Sequence, residues 1–142
     1  MQSLRFYLSF TLFALLMFSC DDQRQSEDPI PFVIVNETIN LNNLQYLPLK
    51  SIGGYVTHNA GVRGLILYRE SNSVYRAFER NCPFQPLNAC ALVEIDDSGL
   101  FMQDACCGSR FSFSGFPIEG PSVRPLLEYN TTIDGNFLLI TN

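Results

Sequence analysis

Four cysteines, Cys82, Cys90, Cys106 and Cys107, are the side chains of this sequence best suited to chemistry, and the last two are adjacent. They stand among glycines and prolines. The stretch from Asp104 to Tyr129 alone holds Gly108, Gly115, Gly120, Pro117, Pro121 and Pro125, which reads as loop, short hairpin and loop rather than helix. Cysteines on rigid loops serve a disulfide, a metal or a redox centre. Four cysteines allow three pairings. A Cys106–Cys107 bridge would strain the backbone between neighbours and is discounted, which leaves the other two open. A thiol–disulfide exchange centre is disfavoured, because there is no C-x-x-C and no basic neighbour except Arg110 to stabilise a thiolate. The sequence contains no Ser-His-Asp set, catalytic carboxylate pair or phosphate loop, and Asp96-Asp97 reads as a solvated turn. An enzyme is not expected.

The chain that positions these residues has 142 residues, enough for one compact domain. Its formal net charge is −5 with a single lysine, Lys50, and nucleic-acid binding calls for clustered basic side chains that are absent. At the N-terminus, Arg5 precedes an apolar run from Phe6 to Phe18, too short to span a bilayer but suited to a secretory leader. Ser19-Cys20 closes it. This resembles a bacterial lipoprotein signal, which implies cleavage after residue 19, lipidation of Cys20 and a membrane anchor at the cell envelope. Cysteines exported this way meet an oxidising compartment in which disulfides persist. Residues 20–31 are acidic and polar and read as a flexible tether, leaving residues 32–142 as the folded domain.

Within that domain the pattern is of strands. Phe32 to Leu41 is rich in β-branched residues, and its Thr38–Leu41 end alternates. Gly64–Glu70 and Val74–Glu79 flank Ser71-Asn72-Ser73 as a hairpin, which would put Tyr75 and Ala77 on one face and Val74, Arg76 and Phe78 on the other. Leu92–Ile95 and Leu100–Met102 flank a turn at Asp96–Gly99, and Leu127–Ile133 and Asn136–Thr141 flank Asp134-Gly135. No sustained helical period appears after the leader. These patterns predict an all-β sandwich or open barrel with a loop-rich lobe over residues 81–125. The aromatic set Phe84, Phe101, Phe111, Phe113 and Phe116 is expected to form that lobe's core, with any exposed member marking a partner-binding patch. His58, beside Asn59 and Gly61, reads as a solvent-facing turn residue.

Three segments occur in an order that resembles the Rieske iron–sulfur domain. Asn81-Cys82-Pro83 is similar to the family's first loop, Cys-Pro-His. Cys107-Gly108-Ser109-Arg110-Phe111 is similar to the exit of its second loop, Cys-x-x-His-Gly-Ser, and Gly120-Pro121-Ser122 to its proline loop. By that resemblance Ser109, Gly120 and Pro121 stand at cofactor-contacting positions. The ligands themselves do not carry over. Such a centre binds one iron through two thiolates and the other through two imidazoles. Cys82 stands at the first Cys position, but Phe84 stands at the first His, Asp104 at the second Cys and Cys107 at the second His. The chain has one histidine in all, so a two-histidine cluster cannot be assembled from it.

The resemblance also implies a pairing. Some Rieske domains join their two loops by a disulfide, and Cys106 stands at one of its positions with Cys90 the plausible partner. Cys82 and Cys107 would then face each other across the vacant site and close a second bridge. The expected function is an envelope-anchored, disulfide-stapled binding module that has lost its iron–sulfur cluster, uses no cofactor and meets an unidentified envelope protein. The alternative is an electron-transfer protein with an iron–sulfur cluster or another metal on atypical ligands, Cys82 and Cys107 with Asp104 and another cysteine.

Overall fold

The computed structural model describes residues 29–142. The leader, Cys20 and most of the tether lie outside the described residues. Ten strands follow in chain order: β1 (Asn36–Asn40), β2 (Tyr55–His58), β3 (Leu65–Arg69), β4 (Tyr75–Glu79), β5 (Val93–Ile95), β6 (Met102–Asp104), β7 (Arg110–Phe111), β8 (Pro117–Glu119), β9 (Glu128–Asp134) and β10 (Phe137–Thr141). All pairings are antiparallel. Six strands form one sheet in the order β1-β10-β9-β4-β3-β2, and four form a second in the order β5-β6-β7-β8. Among the described residues no helix is long and apolar enough to cross a membrane.

The central hairpin β3–β4 is buried on both faces. Leu65, Leu67, Tyr75 and Ala77 point into a core shared with Ile39, Leu49, Tyr129, Leu138 and Ile140. Ile66 and Phe78, paired across the hairpin, point the other way. They meet Cys82, Phe84, Val93, Met102, Phe111 and Leu126. The period-2 alternation therefore splits one hairpin between two cores, with the predicted faces for Tyr75, Ala77 and Phe78. Leu44–Lys50, apolar without alternation, forms a 3₁₀ helix that buries Tyr46 and Leu49 in the first core.

The lobe is more regular than the sequence predicts, because its loops are joined by the second sheet. Its return strand runs Met102–Asp104 instead of Leu100–Met102. The turn extends to Phe101, whose carbonyl accepts the Asp96 N–H at 3.0 Å, and Leu100 is left exposed. The lobe's aromatic side chains divide. Phe84 and Phe111 are buried, Phe113 stacks on Tyr68 and Tyr55, Phe101 lies under the Arg110 guanidinium, and Phe116 is exposed. His58 is not the solvent-facing turn residue expected. It ends β2, half-buried, with Nδ1 2.9 Å from the Tyr46 hydroxyl and Nε2 3.3 Å from Glu37.

Glu79, the last residue of β4, is fully buried. Its carboxylate accepts the N–H groups of Val62, Arg63 and Asn81 at 2.8, 2.9 and 3.0 Å and the Tyr129 hydroxyl at 3.0 Å. Burial, and then the Glu79 charge, push the Tyr129 phenol well above its ordinary pKa. This carboxylate ties the loop before β3 to the start of the first cysteine loop. Glu79→Ala strands three backbone donors and a phenol, and is expected to cost about 3 kcal/mol or more, read as a lower midpoint in urea unfolding with an unchanged slope.

Candidate functional site

The first cysteine loop leaves β4 directly. After Glu79, Asn81 bridges Leu92, and Cys82 enters the lobe core with its side chain fully buried. Arg63 anchors the far end of the loop, donating to the carbonyl of Asn88 at 2.6 Å and to that of Ala89. The second loop runs between β6 and β7, so Asp104 to Ser109 is a turn held by its flanking strands. Asp104 N–H donates to the Ser109 carbonyl and Gly108 N–H to the Asp104 carbonyl, at 2.9 and 2.8 Å.

A disulfide joins the two loops. Cys90 and Cys106 are bonded, with their Cα atoms 5.6 Å apart, as the resemblance implied. The second expected bridge is not formed. Cys82 and Cys107 are free thiols whose sulfurs stand 3.9 Å apart, at van der Waals contact rather than the roughly 2.05 Å of a bond. Cys107 is engaged elsewhere. Its sulfur lies 3.2 Å from Asp104 Oδ2 and 3.1 Å from Ser109 Oγ, and accepts the Ser109 N–H at 3.4 Å.

A thiol has one proton to give. Ser109 Oγ already accepts the Ser122 N–H at 3.0 Å, which leaves its own proton free to reach the Cys107 sulfur while the thiol proton faces Asp104. Asp104 is almost fully buried, and its Oδ1 accepts the Cys106 N–H at 2.8 Å, which aims Oδ2 at the sulfur. Burial foremost, followed by Asp104, pushes the Cys82 thiol far above its ordinary pKa, while the Phe84 N–H hydrogen bond to it pulls the other way.

The proline loop closes over this group. Gly120 has φ +90°, and a Cβ there would lie 2.5 Å from Ser109 Cα and 2.8 Å from the Gly108 carbonyl oxygen. Ser122 Oγ donates to the Arg124 carbonyl at 3.0 Å, and Arg124 reaches the Pro83 carbonyl at 2.5 Å. Three loops distant in sequence therefore meet at Cys82, Asp104, Cys107 and Ser109.

The fold has a counterpart among solved structures. The chain is similar to the cyanobacterial plasma membrane Rieske protein PetC3 from Synechocystis PCC 6803, at 24% identity and a TM-score of 0.53, over 77% of this chain and 98% of that one. It has a Rieske-like fold. At that identity the likeness is one of architecture. Neither a protein-family profile nor a curated protein sequence matches the chain.

A Rieske-type cluster requires two thiolates and two imidazoles, and the donors gathered here do not fit it. Cys82, Asp104 and Cys107 bring their ligand atoms within 4.8 Å of one another. Phe84, which the resemblance sets at the first imidazole position, is packed into the lobe core. His58 is committed to Tyr46 and Glu37 at the end of β2.

Sequence reasoning placed Cys82, Cys90, Cys106, Cys107, Ser109 and Gly120 in this region, and the structure brings all six there. It missed Glu79, Arg63 and Arg124, which hold the loops. An acid ending an otherwise apolar alternating strand was the one available sign of Glu79. Two measurements test this geometry. Gly120→Ala is expected to destabilise the domain by about 1–3 kcal/mol, read by thermal melting. Alkylation of native protein should modify Cys107 first and leave Cys82 untouched until unfolding, as peptide mass spectrometry would show.

Proposed function

We propose that this chain is an envelope-anchored lipoprotein whose Rieske-fold domain works without an iron–sulfur cluster, as a disulfide-stapled module that binds a protein partner. The observation that carries the reading is the donor set. Two thiols and one carboxylate converge where the fold family places four ligands, and Phe84 fills an imidazole position with apolar packing. The lobe does not depend on a cluster for its shape. The Cys90–Cys106 bond contributes roughly 2–4 kcal/mol, and a contiguous apolar core lies beneath the loops.

Anchoring rests on the leader and Cys20, and the plasma-membrane setting of the similar protein supports it. The binding role rests on apolar exposure along the lobe. Ile118, on the edge strand β8 of the second sheet, and Phe116 just before that strand stand 59% and 62% exposed, where a monomer more often carries polar residues. The domain has no reaction to catalyse in this reading, and nucleic acid is not a partner of so acidic a chain.

The test is chemical analysis of the full-length chain extracted from bacterial membranes. It should carry no iron with acid-labile sulfide, before or after anaerobic reconstitution. A stoichiometric iron–sulfur centre with a Rieske-type electron paramagnetic resonance signal would overturn the reading in favour of electron transfer. Cys20→Ser should abolish incorporation of labelled palmitate and release the protein from the membrane fraction. Unchanged membrane retention and labelling would remove the lipoprotein assignment.

A further inference from the structure

We infer that Cys82, Asp104 and Cys107 form a binding site for one thiophilic divalent cation, with zinc the best match. The inference deepens the cluster-free reading and rests on it, because it gives the lobe a mononuclear occupant. The distances already suit such an ion. A tetrahedral zinc with Zn–S of about 2.3 Å and Zn–O of about 2.0 Å sets its sulfurs about 3.8 Å apart and each sulfur about 3.5 Å from the oxygen. The protein holds its two sulfurs 3.9 Å apart and the Cys107 sulfur 3.2 Å from Asp104 Oδ2.

The chemistry of the donors points the same way. Two sulfurs with one carboxylate oxygen are a soft-to-borderline set, which selects zinc over magnesium or calcium. Asp104 is a buried acid, and among the described residues no ion pair involves it. A buried carboxylate without a cation is costly, and a divalent ion removes that cost.

The surroundings are those of orienting partners around a metal. Cys106 N–H fixes the far carboxylate oxygen at 2.8 Å. The Ser109 N–H donates to the Cys107 sulfur at 3.4 Å, which offsets part of the negative charge that two thiolates would place there. Cys107 is partly exposed, so a water or a partner's donor group would complete the tetrahedron from that side.

The experiment uses the full-length chain, extracted in detergent and stripped with a chelator. Its two free thiols are counted, and it is titrated with Zn²⁺ against a chromophoric chelator and, separately, with Co²⁺. One zinc per chain is expected. Cobalt should show thiolate charge-transfer bands and the d–d bands of a tetrahedral site. Cys107→Ser and Asp104→Asn should each weaken zinc binding by at least about tenfold. Both variants should keep the Cys90–Cys106 bond and the melting temperature of the metal-free protein, which separates ligand loss from misfolding. Absence of binding with both thiols free would overturn the site, as would equal binding by the variants or a Cys82–Cys107 disulfide in protein taken from the membrane. Those results would leave the cluster-free reading standing. Two irons with sulfide would overturn both.

Discussion

The whole molecule hangs on one hairpin that must be covered on both sides. Ile66 and Phe78 face each other across β3 and β4 and point into the lobe, while Leu65, Leu67, Tyr75 and Ala77 point into the six-stranded body. A strand pair with apolar side chains on both faces is unstable until each face finds a layer to pack against. The body supplies one layer through β9, β10 and β1. The four-stranded sheet supplies the other through Val93, Met102 and Phe111. The lobe is therefore a structural necessity for the hairpin before it is a site for anything.

That constraint explains what holds the cysteine loops in place. Cys82 follows β4 by a few residues and is itself part of the apolar cover over Phe78. The disulfide ties its loop to the second loop. Ser109 ties the second loop to the proline loop through the Ser122 N–H. Each connection is short and direct. Phe84 joins the same cover, and its aromatic ring adds apolar contact to the lobe core.

The body's hairpins could be read from the turn residues between apolar runs, and a period of two divided Tyr75 and Ala77 from Phe78. The hairpin turn at Ser71–Ser73 carried equally clear signals. The second sheet was harder to see. Its strands are two or three residues long, shorter than the window in which a period of two can be recognised. The 3₁₀ helix at Leu44–Lys50 was hidden for a similar reason, being one brief apolar run with Pro48 inside it. His58 looked like a surface residue because its partners Tyr46 and Glu37 belong to other elements.

Residue types alone settle that this chain cannot build a two-histidine cluster, since that conclusion needs only a count. They also mark which cysteines belong to which loops and that the domain is made of strands. What they leave undecided is how the thiols are used. Cys82 and Cys107 could as well have been bonded. Folding sets their sulfurs 3.9 Å apart with Asp104 and backbone N–H groups beside them. That outcome depends on where three loops far apart in the chain come to rest, and packing against Ile66 and Phe78 fixes their place. No local pattern in the sequence encodes a distance between atoms that only meet after the two cores have formed.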